Sequence, residues 1–466
     1  MVWVLSTALV AGIARRIVAG LLVSALSAWL LKGRARSRVF VFALGALCTL
    51  WGAEMARRME ARDVGTEALM AGATQWTATV VGFPRTSKYG VSFDARGAVH
   101  GRDVTVRVRT KRFDIHYGER LALEGKWRAR NDRWPGSFTA KRITRLGIEG
   151  HPVRRWLWRL HDGARRRLMR STGANAALPL ALVLGEKGHL PRKRREDFVR
   201  LGISHLFALS GMHLGLLALV LAKGTQLLPW GRRAALAAAL TLYVGVVGDI
   251  DSLNRALVMA LTLITARVLQ RPVQPLHALG LALFFLLLVD PSSLGSAGFQ
   301  LSFSATFAVL LLAPHIGPPA VVWKQASWPV RFLLGARATI LMGIGVTVFV
   351  APIQLSHFGE VSLVGPLATW VFATAVAFML IASLAAIPAA DVPYVGDGLW
   401  YVSGWLDQAL WWAARVAPDP VELPAPDALA FYAGLALLWK GSRAGRVVGA
   451  LLVAASFFAS FSGGRT

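Results

Sequence analysis

Residues 202–215 read Gly-Ile-Ser-His-Leu-Phe-Ala-Leu-Ser-Gly-Met-His-Leu-Gly, and they open an apolar run that continues through Leu221. Ser204, His205, Ser210 and His213 stand where a lipid-facing helix carries leucine. Ionisable side chains inside a membrane segment cost free energy and face a polar interior or a pathway. A glycine between polar residues predicts a broken or closely packed helix, tolerated where protein or a water-filled cavity re-satisfies the backbone. The stretch points to a transporter or channel rather than an anchor.

The rest of the chain fits that setting. Of its 466 residues 55% are hydrophobic and only 17% charged, with a mean hydropathy of +0.50, which predicts a polytopic membrane protein. Lys plus Arg number 52 against 25 Asp plus Glu, a net charge of +27. Cytoplasmic loops keep positive charge in any such protein. An excess of this size also implies an anionic partner, lipid headgroup or nucleic acid. The single cysteine, Cys48, excludes an internal disulfide framework and a cysteine-based metal site. The first 31 residues hold Arg15 and Arg16 mid-run without a small-residue cleavage site and read as retained.

Residues 17–31 and 39–55 are short apolar segments with Lys32, Arg34, Arg36 and Arg38 between them, so 1–71 reads as a membrane hairpin. The positive loop assigns the hairpin turn to the cytoplasm and the chain beyond residue 55 to the opposite side. Over 72–150 alternation replaces continuous apolarity. Five period-2 runs start near Thr77, Gly90, Val104, Leu121 and Phe138, which suggests a small inserted β-barrel of the OB type, extracytoplasmic. Residues 72–147 carry 16 Lys plus Arg against 6 Asp plus Glu, with Trp76, Phe83, Tyr89, Phe93, Phe113, Trp127, Trp134 and Phe138 interleaved. Charges that track phosphates and rings that stack on bases are what a single strand needs. The expected DNA contacts are Arg107, Arg109, Lys111, Trp127, Arg128 and Arg130. The same aromatics also suit a barrel core, and the arginines a solvated face.

Residues 151–200 read as amphipathic interfacial helices. Val153, Trp156, Leu157, Leu160, Ala164 and Leu168 fall on one stripe of 152–170, with arginines on the rest. From 201 to 466 the chain reads as mostly membrane helix, with spans near 203–223, 233–249, 253–270, 276–289, 297–313, 333–355, 363–388, 428–440 and 444–461. With the first two, that makes about eleven. Trp400, Trp405, Trp411 and Trp412 around Asp407 mark 396–416 as an interfacial helix.

Polar groups recur inside these spans. Ser210 and His213 are three apart and near-neighbours on a helix. His205 and His213 are eight apart, unlike the four-residue spacing of zinc-binding histidines, and no Gly-x-Ser-x-Gly elbow supports a serine nucleophile. Asn254 and Arg255 head a span. Gln300 and Ser302 lie within 298–304. Gln354, His357 and Glu360 come after Pro352 at three-residue spacing. The Ser/His set suits a pathway lining or inter-helix hydrogen bonds, and Arg255 suits snorkelling to the interface or an aqueous vestibule that attracts phosphate. Residues 298–304 need a broken helix or two-sided packing, and the 354–360 stripe suits a cavity lining or a helix leaving the bilayer.

Taken together, Ala181–Glu186, Gly202–Gly215, Arg255–Ala260, Asp290–Ser302, Gln354–Pro366 and Trp411–Pro426 resemble the ComEC family of competence channels. The Ser-His-x-x-Ala-x-Ser-Gly-x-His pattern is the most specific of them. The resemblance implies a channel that carries single-stranded DNA across the bacterial inner membrane during natural transformation. Ser204, His205, Ser210, His213, Asn254, Arg255, Gln300, Ser302, Gln354 and His357 would line its translocation pathway. Implied partners are single-stranded DNA, membrane lipid, and the receptor and motor proteins of a competence system. No cofactor or metal is expected. Many family members continue into a metallo-β-lactamase-like domain with a His-x-His-x-Asp-His motif. None of the ten histidines here are two apart, so no nuclease and no enzyme is expected. No ATP-binding loop is present, so driving energy is expected from a partner or a gradient. The competing expectations are a membrane hydrolase using the Ser/His cluster, or a DNA receptor that does not conduct.

Overall fold

The computed structural model describes residues 69–456, except 71–72, 88, 100, 112–113, 129–135, 225–230, 271–273, 318–319, 393, 441–446 and 454–455. The expected N-terminal hairpin, Cys48 and Arg130 lie outside the described residues. The chain divides into two compact units. One joins residues 60–257 with 371–417, and the other joins 258–370 with the chain from 418 onward.

The first unit opens with a six-stranded sheet: β1 (Gln75–Val80), β2 (Arg85–Ser87), β3 (Gly90–Val99), β4 (Arg102–Thr110), β5 (Glu119–Arg128) and β6 (Ser137–Ile148). Its order is β1-β5-β6-β4-β3-β2, with an additional β1–β3 pairing. The β4–β6 pairing is parallel, matching Val108 to Phe138. Alternation in the sequence becomes alternation in burial. Trp76, Ala78 and Val80 point inward from β1, and Val104, Val106 and Val108 do so from β4. They pack with Phe93, Leu121, Leu123 and Phe138 into one core. Each fully buried Phe or Leu there is worth roughly 1.5–3 kcal/mol. Gly97 lies where β3 meets β1. A Cβ on it would stand 2.1 Å from the Thr77 carbonyl oxygen, so only glycine permits that approach. The five alternating runs are all strands. The sixth, β2, is three residues long and too short to show a period.

The helices come next, in chain order: α1 (Pro152–Thr172), α2 (Ala177–Leu184), α3 (Arg192–Arg200), α4 (Gly211–Gly224), α5 (Arg232–Val247) and α6 (Asp251–Val268). They continue with α7 (Pro275–Val289), α8 (Ala297–Ile316), α9 (Ala320–Gln325), α10 (Trp328–Phe358), α11 (Gly365–Ala386), α12 (Val395–Val416) and α13 (Ala428–Lys440). Among the described residues α8, α10 and α11 are long and apolar enough to cross a membrane, and stretches of α4, α7 and α13 are shorter apolar helices.

One boundary differs from expectation. The span expected from 203 starts at Gly211, because residues 201–210 form turns after α3, with Gly202 at φ +67°. The buried face of α1 is Trp158, His161, Asp162, Leu168 and Thr172. The expected interfacial stripe lies mostly outside that face: Val153, Trp156 and Leu160 are exposed. An apolar stripe reads the same whether protein or lipid is to cover it.

In the second unit α8 packs along α10, with the rings of Phe307 and Phe349 5.8 Å apart. The Tyr432 hydroxyl of α13 donates to the Phe349 carbonyl at 2.9 Å. Pro352 lies inside α10, which continues to Phe358 and ends at Gly359, φ +75°. Two short strands, β7 (Glu360–Val361) and β8 (Val421–Glu422), pair antiparallel just beyond it.

Candidate nucleic-acid interface and pathway residues

The expected DNA contacts on the sheet fall into two kinds. Arg107 faces Asp94 across β4 and β3, and its Nε and Nη2 donate to the two carboxylate oxygens at 2.8 and 2.9 Å. That hydrogen bond raises the guanidinium pKa above its ordinary value against the opposing effect of burial. Arg109 lies opposite Ser92 on the same strand and, like Lys111 and Arg128, is exposed. Lys111 and Arg128 have no ion-pair partner among the described residues. Trp127 is half-buried against the sheet core, opposite Phe138. Trp76, Phe93 and Phe138 fill that core, whereas Tyr89 is 86% exposed. Phe113 and Trp134 lie outside the described residues.

The pathway residues divide between the two units. In the first, Ser204 and His205 are exposed in the turn before α4, and His205 Nδ1 lies 3.1 Å from the Gly202 carbonyl oxygen. His213 is 1% exposed. Its Nδ1 lies 3.1 Å from Ser210 Oγ, while its Nε2 has no partner among the described residues. Arg255, 6% exposed, brings Nη2 to 3.4 Å from where a Cβ on Gly211 would stand. The broken start of α4 thus places a serine, a histidine and an arginine around one glycine. Asn254 is half-buried beside them in sequence.

In the second unit Gln300 donates through Nε2 to the Leu294 carbonyl at 2.7 Å, and its Oε1 lies 3.0 Å from His357 Nε2. Gln354 donates to the Glu360 carbonyl at 3.3 Å. Ser302 is half-buried on α8, and its carbonyl accepts from Thr306. The Leu423 N–H donates to the Gly359 carbonyl at 3.2 Å, next to the β7–β8 pairing. Three stretches far apart in the chain, 290–302, 354–366 and 411–426, therefore meet through hydrogen bonds.

One constellation has no counterpart among the residues expected from the sequence. Glu186, 3% exposed, accepts from His161 Nε2 at 3.0 Å and from the Thr86 hydroxyl at 2.8 Å, and His189 Nε2 stands 3.6 Å away. Thr86 Oγ1 in turn lies 2.9 Å from His189 Nε2, and His161 Nδ1 lies 2.9 Å from the Val246 carbonyl oxygen. Burial alone would raise the Glu186 carboxyl. Hydrogen bonds from His161 and His189, the charge of His161 and the Thr86 hydroxyl outweigh it and hold the carboxyl at about 2. This joint ties β2 to α1 and to the turn Lys187–His189. Its signals in the sequence are single residues 100 and 25 positions apart, which no periodicity connects. Among the described residues no group of His, Cys, Asp or Glu is arranged to hold a metal ion.

The family described as Competence protein matches residues 182–446, more than half of the chain. The chain belongs to the competence protein family. Among curated relatives it is similar to ComE operon protein 3 of Bacillus subtilis (strain 168), 30% identical over 187 residues, 40% of this chain and 22% of that protein. It is also similar to Recombination protein 2 of Haemophilus influenzae, 26% identical over 221 residues, 44% of this chain and 27% of that protein. The chain thus aligns with about a quarter of the length of each of these two relatives. No solved structure matches it. The competence match takes in the start of α4, the Gln300–His357 contact and the β7–β8 pairing. The sheet lies ahead of it.

Proposed function

We propose that the chain is a channel that carries single-stranded DNA across the bacterial inner membrane during natural transformation. The observation that carries this reading is the broken start of α4, where Ser210, Gly211, His213 and Arg255 gather inside an otherwise apolar region. Such groups are retained in membrane segments for a pathway far more readily than for anchoring. Membership of the competence family adds to it. The sheet supports the OB-type reading, since its pairings β1–β5–β6–β4–β3 return to β1 with β4–β6 parallel. That domain, on the extracytoplasmic side, would receive the strand through Lys111, Arg109 and Arg128. The exposed stripe of α1 and the exposed Trp400, Tyr401, Trp405 and Trp412 of α12 suit helices lying in the headgroup plane. Arginines draw phosphate in, and uncharged Ser, Gln and His let it leave. A receptor and a motor of the same system would supply strand and driving force.

Uptake of labelled DNA by a deletion strain tests this. Wild type restores uptake and His213→Ala does not, at equal membrane abundance. Full uptake with His213→Ala and Arg255→Gln together would overturn the pathway assignment. The hydrolase reading has the Ser210–His213 contact in its favour, but among the described residues His213 Nε2 lacks the orienting carboxylate that a serine–histidine pair uses. Labelling of Ser210 by a serine-directed probe would revive it.

A further inference from the structure

The joint around Glu186 has a second consequence, for its neighbours. Thr86 is buried and held by Glu186 and His189, so Arg85, the residue before it on β2, is fixed at the seam between the sheet and the helices. Gly188 lets the two backbones touch there: a Cβ on it would stand 2.3 Å from the Thr86 carbonyl oxygen. Lys187, the residue before Gly188, is therefore held at the same seam as Arg85. Both keep exposed surface, and neither has an ion-pair partner among the described residues. The adjacent carboxylate, Glu186, is already committed to two histidines and a threonine. The same turn packs on the approach to α4: a Cβ on Gly185 would stand 2.9 Å from a Leu209 methyl, next to Ser210, whose hydroxyl meets His213, buried and with Nε2 unpartnered among the described residues.

Two cations, one from β2 and one from the turn Lys187–His189, thus share a seam with no ion-pair partner of either among the described residues, and the start of α4 lies against the same turn. Like charges brought together cost free energy that an anion would remove. The cost is visible at Lys187, whose ammonium is lowered from its ordinary value by burial and then by the charge of Arg85.

We propose that Arg85 and Lys187 form a phosphodiester station at this seam, which passes a single strand from the sheet toward the start of α4. The proposal rests on the DNA reading of the chain and adds two residues, Arg85 and Lys187, that the sequence did not nominate. The chemistry suits transit. A lysine binds phosphate as a compact point charge, without the bidentate grip of a buried arginine pair. A groove that tracks a backbone needs such groups at intervals, not one tight site. The commitment of Glu186 also explains why a carboxylate sits beside a phosphate-binding lysine without cancelling it.

The test uses the full chain in neutral phosphatidylcholine nanodiscs, with a fluorescein-labelled oligothymidylate and, separately, pyrophosphate. Lys187→Gln is expected to weaken oligonucleotide binding about tenfold, as loss of a charged hydrogen bond does. The slope of log affinity against log salt should shrink by about 0.7, the share of one phosphate on a single strand. Arg85→Gln should act in the same direction, and Lys187→Arg should restore binding to within about twofold. Unchanged affinity and slope in Lys187→Gln and Arg85→Gln, with wild type binding, overturn the station and leave the DNA reading standing. Pyrophosphate binding that depends on Lys187, with no oligonucleotide bound by wild type, keeps the phosphate site and removes the DNA reading. A wild type that binds neither probe overturns the station. Dependence on Lys187 that appears only with phosphatidylglycerol in the nanodisc overturns the DNA assignment in favour of a lipid headgroup.

Discussion

The sheet face and the seam beside it are both rich in basic residues, yet they hold charge in opposite ways. On the sheet Arg107 is clasped by Asp94, Arg120 by Glu149, and Arg145 by Asp114 and Glu119. At the seam neither Arg85 nor Lys187 has an ion-pair partner among the described residues, and Glu186 is turned inward to His161, His189 and Thr86. A count of basic residues therefore overstates the first region and understates the second. What matters for an anionic strand is the charge left over after the fold has used its own.

The largest effect expected from disturbing this contrast is at Glu186. Replacement by alanine leaves His161 buried without its carboxylate acceptor and half-buried His189 without its nearby charge, and should cost about 3–5 kcal/mol, read as a fall in Tm of the detergent-solubilised chain. A Tm within a degree or two of wild type would mean that the joint holds nothing. Acid should act on the same group. The Glu186 carboxyl is held at about 2 against an ordinary 4.5, so its stabilisation is present above pH 4.5 and drains away as the pH falls toward 2. Acid titration of wild type against Glu186→Gln should show that loss in the wild type alone. Thr86→Val keeps the shape and removes the hydroxyl, for an expected cost of about 1–3 kcal/mol. Its oligonucleotide affinity should fall with it, since Arg85 loses its anchor.

The smallest effect belongs to the sheet. Arg107→Gln should change stability by less than about 1 kcal/mol, as exposed ion pairs do, and barely move oligonucleotide affinity. Arg128→Gln, with no ion pair to lose among the described residues, should lower the salt slope by about 0.7. Equal losses of affinity from the two variants would erase the distinction between clasped and available charge.

The strands are legible in the sequence because alternation is a local signal, and β1, β3, β4, β5 and β6 each hold enough residues to show it. The exception is β2, three residues whose strand character comes from pairing with β3. The helix break near Ser210 and Gly211 shows in the mismatch of polar residues with their apolar surroundings. Hydropathy alone still starts that helix eight residues early, since Ile203, Leu206 and Phe207 are as apolar in a buried turn as in a span. For α1 it marks the stripe that the fold leaves exposed and not the face that packs on protein, because hydrophobicity does not say which neighbour will do the covering. The candidate pathway residues are legible one by one. Their contacts are not: Gln300 meets His357 across 57 residues. Glu186 lies in one of the family-like stretches yet shows no site character there. Its meaning comes from Thr86 and His161, which only the folded chain brings to it.

The two-residue ladder of Glu360–Val361 with Val421–Glu422 carries a last consequence. Backbone amides make it, so almost any side chain is admissible at those four positions. Spacing is another matter, for a slip of one residue would exchange the outward and inward groups and carry the Gly359–Leu423 bond out of reach. Natural variation here should thus alter letters freely while leaving the distance from the end of α10 untouched.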